Sequence, residues 1–506
     1  MLVPRLFTVM GVAMTAASAT VVSSSEQHVR RGPQELRACL ADAIADIARL
    51  QFSNDTNFIE QHVRPYNLNY PRTPFAVAYP NTTGEVSSIV LCAARQGRKV
   101  QARSGGHDYI NRSIGTGDGI VVVDVGGFQQ LSIDEEGIAT VGSGHRLSSL
   151  VEGLYANGKR LMPHGIHYNV GVGGHATVGG MGFSSRMFGY TLDVMTEAEV
   201  VLSNGQVVRA TADESSDLFW AIRGAAASFG IVTEFKFKTF SEPESIIEFT
   251  YPVRSNDTTI LAESVKAYHQ LIRNSDFPVN ISVSCQFTQS GLDFMGVFIG
   301  HPTDLDVLDL FTRIPHINHE DSNITAHDSW LTLMRSQFEG TRSVFPAQSH
   351  FHSEDRMVPL SDLPTNSSID NFIDKLYNSG RAPNNWLFLF DMRGGIPNTF
   401  PSNATSFPHR DGAYTINTWI RTEGATTSNV YSHATDAFLS IQGGTRDKYL
   451  SYAASPVVGY HPARYYGIRH YERLQDLKAT YDPSDVFSTS LNIKAFYTRG
   501  STFGKK

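Results

Sequence analysis

The stretch Arg103-Ser104-Gly105-Gly106-His107-Asp108-Tyr109 sets a histidine, an aspartate and a tyrosine behind two adjacent glycines. Paired glycines let a backbone approach a ligand closely and expose consecutive N–H groups, which suits a phosphate. In isolation the heptapeptide reads as a tight turn with a surface histidine, so its meaning depends on what the chain builds beside it. A second run, His164 to Gly182, holds seven glycines in nineteen residues. It is not a dinucleotide fingerprint: Gly171-Val172-Gly173 is followed by Ala176 where the third glycine belongs, and what precedes it is polar and turn-like. Flexible linkers are Ser-rich and lack Val, His and Met at this density, so the run reads as a ligand-cradling loop. No Cys/His/Asp cluster has zinc spacing, and neither a G-x-S-x-G nor a Walker loop is present. Metalloenzyme and hydrolase readings therefore fall away, and no metal ligands are expected.

These loops need elements to hold them. A helix is expected over 34–50, a strand over Phe75–Tyr79, and a helix from an N-cap at Thr83 through Ala94. Lys99–Arg103 is a strand feeding the first turn. Gly119–Asp124 is a short continuous apolar run, hence a strand buried on both faces. Ala139–Val141 leads into Gly142-Ser143-Gly144-His145, and Leu147–Ala156 is a helix. Strands follow at Leu192–Leu202, after the Asn204-Gly205 hairpin turn, and at Ile231–Phe240, with a helix over Asp217–Gly224 between them. From about 241 longer alternating strands appear (Ile246–Val253, Val279–Gln289, Asp293–Ile299, Trp386–Met392, Tyr414–Arg421). Helices separate them at Ile260–Arg273, Asp304–Arg313, Ile369–Ser379 and Ser428–Gln442. The expected fold class is α+β: a unit of two subdomains over 34–240, then a second over 241–455 with an antiparallel sheet covered by helices. A C-terminal segment, 456–500, carries an aromatic, charged helix ending at Asp482-Pro483.

The length of 506 residues suits several domains. A net charge of -7 argues against nucleic acid as a partner. Arg5, the apolar run Leu6–Ala17 and Ala17-Ser18-Ala19 read as a signal peptide over 1–19, and no later stretch is long enough for a membrane span. Arg30-Arg31 is a weaker processing signal. Eight N-x-[ST] sequons (Asn54, Asn81, Asn111, Asn256, Asn280, Asn323, Asn366, Asn403) agree with a secreted, glycosylated protein. Of three cysteines, Cys39 and Cys92 lie on two amphipathic helices and are expected to pair, pinning the N-terminal helix to the first unit. Cys285 reads as a buried strand thiol.

Five motifs in register resemble one family over roughly residues 35–495. They are Arg103–Tyr109; Gly142-Ser143-Gly144; His164-Gly165 with Val170–His175 and Gly179-Gly180; Asp217–Gly224 with Phe229–Val232; and Tyr465–Gly467 with Leu474, Lys478, Tyr481-Asp482-Pro483 and Val486-Phe487. The chain resembles the berberine bridge enzyme-like oxidases of the fungal secreted type. These are FAD-linked proteins sharing the flavin-binding domain of the p-cresol methylhydroxylase/vanillyl-alcohol oxidase group. The resemblance implies that 34–240 binds FAD, that 241–455 binds substrate, and that 456–500 packs back on the FAD unit. It implies a covalent bond from His107 to the flavin 8α-methyl, which in the family raises the flavin potential. Around the cofactor it places Arg103, Ser104, Gly105, Gly106, Asp108, Ser143, Val170, Gly171, Gly174, His175, Gly179, Gly180 and Ile231.

One position departs from the pattern. Many relatives carry a second flavin bond from a cysteine where this chain has His167, so a single link through His107 is expected, with His167 beside flavin or substrate or simply packed. Secreted oligosaccharide oxidases resemble the doubly linked type, which shifts the expectation toward a small secondary metabolite; oxidation of the anomeric carbon of an oligosaccharide is the alternative. Val170 resembles the residue that admits O2 in the oxidases, implying reoxidation with release of H2O2. Oxidising a C–H beside oxygen or nitrogen needs a group to take a proton as hydride leaves. Arg446–Tyr452 resembles the family's Tyr-x-Asn-Tyr strand, with Ser451 for the asparagine, and makes Tyr452 the base. A phenol of pKa about 10 needs a neighbour to share the charge. Asp391, before Gly394-Gly395, matches that neighbour, and Tyr109 would line the substrate pocket. By themselves Tyr449 and Tyr452 read as packed sheet aromatics, one per face; only the family register makes Tyr452 the base. A flavin-binding scaffold without activity fits poorly with His107, Asp391 and Tyr452 together.

Overall fold

The structure, a computed structural model, describes residues 32–115, 117–273, 277–344, 348–378, 386–424, 428–441, 462–488 and 493–496. The leader, Arg30-Arg31, Tyr449, Ser451 and Tyr452 lie outside the described residues.

Three sheets organise the chain. In the first, Val121–Asp124 is buried on both faces and pairs in parallel with Ala76–Ala78 and Val100–Arg103, while Leu50–Phe52 adds an antiparallel edge. The helix Thr83–Arg95 makes the crossover that a parallel pair requires. Its N-cap is Thr82, whose hydroxyl accepts from the Glu85 N–H, rather than the adjacent Thr83. The first helix stops at Asp42 instead of running to 50, because Asp46 caps a separate 3-10 turn, Ile47–Arg49. Cys39 and Cys92 are bonded and tie these two helices together.

The second sheet is wholly antiparallel, in the order Leu131–Ile133, Ile138–Gly142, Ile231–Lys238, Met195–Val201, Val207–Thr211. Its last hairpin turns at Asn204-Gly205 as expected, and the helix Leu147–Ala156 has the expected bounds.

The third sheet has eight antiparallel strands. Ile281–Thr288, Trp386–Met392 and Gly412–Thr422 are neighbours at its centre. Helices Thr258–Ile272 and Asn366–Asn378 cover one face and bury Val265, Tyr268, Phe372 and Leu376 against Cys285, Phe287, Phe388 and Phe390. Period-two alternation then sends Ser282, Ser284, Gln286 and Thr288 to the opposite face, where they border a cavity. The helix Trp330–Val344, which the periodic reading does not pick out, flanks that face.

Buried Arg186, on the short helix Ser185–Phe188, ties that helix to the third sheet. Its guanidinium donates to the carbonyls of Ile281, Arg393 and Pro278. Arg410 and Asp193 form a buried ion pair at 2.8 Å nearby. The described part of the C-terminal segment includes the helix Ile468–Tyr481, and Val486 and Phe487 complete the core of the first sheet.

One sequon is corrected. Asn111 is 1% exposed, and its side chain bonds to the backbones of Tyr66, Asn67 and Tyr70, so it cannot carry a glycan. Asn54, Asn81, Asn256, Asn323, Asn366 and Asn403 are exposed, and Asn280 is half-buried. Among the described residues no helix is long and apolar enough to cross a membrane.

Candidate active site

A cavity of ≈ 840 Å³ opens between the 103–109 turn, the 164–182 run, the 225–230 turn, the helix Trp330–Val344 and the polar face of the large sheet. The glycines explain how the first two meet. A Cβ on Gly105 would overlap the Gly171 backbone, and one on Gly171 would overlap Gly105. The two loops therefore touch backbone to backbone, an approach only glycine permits. Ser104 locks the junction: its hydroxyl donates to the Ser143 carbonyl at 2.7 Å and accepts from the Gly173 N–H.

His107 stands at the cavity wall. Its ring lies 4.5 Å from that of Tyr66 and 4.8 Å from that of His167. No hydrogen bond engages its ring nitrogens among the described residues. Burial holds its pKa well below the usual range, and the charges of His167 and Arg146 push the same way. The imidazole is thus neutral, with a lone pair available to an electrophile. His175 also borders the cavity but is held neutral by burial, at about 3, and its Nε2 accepts the Gly165 N–H at 3.0 Å. Val170, Gly171 and Gly174 line the wall as expected.

Tyr109 faces an aromatic group, 5.2 Å from Phe351 and 5.3 Å from Trp419. On the sheet floor, Ser284 is opposite Asp391, and its hydroxyl donates to the carboxylate at 2.7 Å. Arg393 lies 3.7 Å from the same carboxylate and donates from Nε to the Thr415 hydroxyl. One cavity therefore brings together His107, His167, Tyr109 and Asp391 from three parts of the chain.

Several expected cofactor residues do not reach it. Arg103 is turned away: parallel pairing sets it beside Asp124, its Nε bonds that carboxylate at 2.6 Å, and its fork holds the carbonyls of His62 and Val63. Asp108 borders the cavity, but its carboxylate is committed to Arg112 and to the turn N–H groups. Ser143 supports the junction from behind through its backbone, with its hydroxyl buried. Gly179 and Gly180 end the helix Val172–Val178 in a left-handed turn and accept from Leu192 and Thr191 instead. Ile231 points into the first core, while its neighbours Gly230 and Val232 border the cavity, a displacement of one residue on an alternating strand. Tyr66, Ser284, Gln286, Asn417 and Trp419 line the cavity without having been singled out from the sequence. The signal for two of them was the polar residue at every second position of 282–288.

The residues fit a large, flat cofactor such as FAD. The 225–230 turn lines the same cavity with small residues, Ala225, Ala226, Ala227, Ser228 and Gly230, and a Cβ added to Gly174 would meet nothing within 4 Å. These residues would leave room for a bulky group beside His107.

Sequence comparison matches residues 74–211 to an FAD binding domain and residues 444–494 to a segment described as berberine and berberine like. The chain is 30% identical to the FAD-linked oxidoreductase sorD of Penicillium rubens over 464 residues, 90% of this chain and 97% of that protein. It is 30% identical to a chitooligosaccharide oxidase of Gibberella zeae, over 85% of this chain and 89% of that protein. Among solved structures, a chitooligosaccharide oxidase superposes with a TM-score of 0.83 at 26% identity, covering 92% of this chain and 100% of that one.

Proposed function

Because the chain belongs to the berberine bridge enzyme-like family of FAD-linked oxidoreductases, we propose that it is a secreted oxidase of a small secondary metabolite, its FAD bonded through His107 alone. The observation that carries this reading is one cavity bordered by a neutral, unbonded His107, by Tyr109 and by the Asp391–Ser284 pair.

Bound FAD supplies a two-electron acceptor for the hydride of a substrate C–H bond, and O2 takes the electrons onward to give H2O2. The chain does the rest. The glycine junction and the small residues at 225–230 hold the cofactor plane. Tyr109 and Trp419 present aromatic surface to the substrate, backed by Phe351, and Leu387 and Leu389 give the floor an apolar strip. As the substrate O–H or N–H proton passes to the oxygen of Tyr452, the phenol's own proton would pass to the carboxylate of Asp391, which Ser284 orients. The apolar strip favours an aromatic or polyketide substrate. The polar row Ser282, Ser284, Gln286 and Thr288 supports the second reading, anomeric oxidation of an oligosaccharide, which is also what several relatives are named for.

The test is to purify the protein from the medium, precipitate it in acid, and record flavin in the pellet for wild type and His107→Ala. Peroxide is then screened against phenolic, alkaloid and polyketide metabolites and against cello- and xylo-oligosaccharides. Flavin should stay with the wild-type pellet and be lost from His107→Ala. Flavin retained by the variant would refute the attachment. Peroxide from the sugars alone would refute the substrate class.

A further inference from the structure

Nearly every charge on the cavity wall has its opposite beside it. Asp108 is bonded to Arg112, with Nε donating at 2.6 Å. Asp391 is next to Arg393 at 3.7 Å. Glu248 accepts from His327 at 2.8 Å and from Gln337. These are the three carboxylates of the lining, and Arg112 and Arg393 are two of its three guanidinium groups. The third, Arg421, makes no hydrogen bond or ion pair among the described residues. It is half-buried, in a protein whose net charge is -7. General basicity therefore does not account for it.

Its place is informative. Arg421 follows Trp419 by two residues on one strand and lies opposite Phe351 in register. Two residues along a strand separate Cα atoms by about 7 Å on the same face. Trp419 in turn stacks on Phe351 at 3.7 Å and faces Tyr109 at 5.3 Å. A planar fork of donors, partly removed from water beside an aromatic wall, matches a carboxylate in two-point contact.

We propose that this end of the cavity is a carboxylate subsite, and that the substrate is an aryl acid whose ring lies against the aromatic wall formed by Tyr109 and Trp419 while its carboxylate pairs with Arg421. The inference rests on the oxidase reading of the cavity and specifies its substrate class. It excludes neutral sugars as the best ligands.

The probe is 3-phenylpropionate with its methyl ester, titrated into the flavin-loaded enzyme and followed by tryptophan fluorescence and by the visible flavin band. The wild type should bind the acid about tenfold or more tighter than the ester, the increment expected of a charged two-point contact. Arg421→Gln should erase that preference while leaving ester binding within about twofold, and Arg421→Lys should keep part of it. Equal binding of acid and ester by the wild type overturns the subsite, as does undiminished acid binding by Arg421→Gln or the absence of any acid response. Should Arg421→Gln not fold, the wild-type comparison and Arg421→Lys still decide. An intact flavin spectrum and peroxide formation without acid preference would sink the subsite alone; a wild type without flavin would sink the oxidase reading.

Discussion

Replacing Lys478 by Met should destabilise the protein by about 3–5 kcal/mol, the usual cost of stripping one partner from a buried ion pair. Lys478 and Asp482 are both fully buried, with Nζ 2.7 Å from the carboxylate. The ammonium's three donors are spent on Asp482, the Ser228 carbonyl at 2.7 Å and the Phe487 carbonyl at 2.8 Å. Methionine keeps the stem and removes all three. Asp482 would then be a buried charge without a cation, and two buried carbonyls would lose their donor. The carboxylate also accepts the N–H groups of Val486 and Phe487, both at 2.8 Å. A Lys478→Met/Asp482→Leu double variant should therefore not recover the wild-type value, although apolar replacement of an ion pair often does so. Urea denaturation followed by circular dichroism and flavin fluorescence would measure both. Because Ser228 borders the cavity, the flavin band of Lys478→Met should also shift. A loss below about 1 kcal/mol, within the range of an ordinary hydrogen bond, would refute the argument.

His269→Phe should stabilise by about 1–3 kcal/mol, the penalty of an unsatisfied buried polar group, because both ring nitrogens are buried without partners and the ring already stacks on Tyr414. Burial holds that ring near 3, so the unfolded chain takes up a proton first as pH falls below 6.5. Its stability contribution is complete above 6.5 and declines toward 3, and a gain no larger at pH 5 than at pH 8 would contradict this. Glu85 is depressed from 4.5 to about 2, chiefly by its bonds from Arg49. It supports the fold above 4.5 and loses that support as pH falls toward 2; Glu85→Gln should flatten that limb of an acid-unfolding curve. Replacing Cys39 and Cys92 together by Ser should cost about 4 kcal/mol in a denaturation series, given the 53 residues separating them. No change would mean that the unfolded chain is not restrained by the bond.

The reach of the sequence is clearest at particular residues. Leu147–Ala156 and Trp386–Met392 carry clean periods of 3.6 and 2, and their bounds follow directly. The Cys39–Cys92 pair was legible because two amphipathic helices each offered one thiol. Motif spacing identified the family, since glycines at a backbone junction tolerate little change. Arg103 went wrong because its partner, Asp124, is fixed by the register of two parallel strands, which composition does not specify. Ile231 went wrong by one position, where parity alone decides between core and cavity. Tyr66 and Trp419 belong to segments far apart in the chain and meet only through the fold, with rings 6.4 Å apart.

The joining of Val486 and Phe487 to the first core sets a timetable for synthesis. Lys99 and Asp485 are partners across 386 residues, and Val100 donates to the Val486 carbonyl. The first sheet emerges with a gap in its core that is filled only by the segment around Asp485, 386 residues after Lys99. At five to twenty residues per second, that gap stays open for roughly twenty to eighty seconds. During that interval Cys39 and Cys92 can already close, so the bond can restrain an incomplete core while residues 241–455 are still being made. A ribosome that stops short of residue 478 would release a chain with a sound sheet and an unsealed edge, a ready substrate for chaperones and degradation.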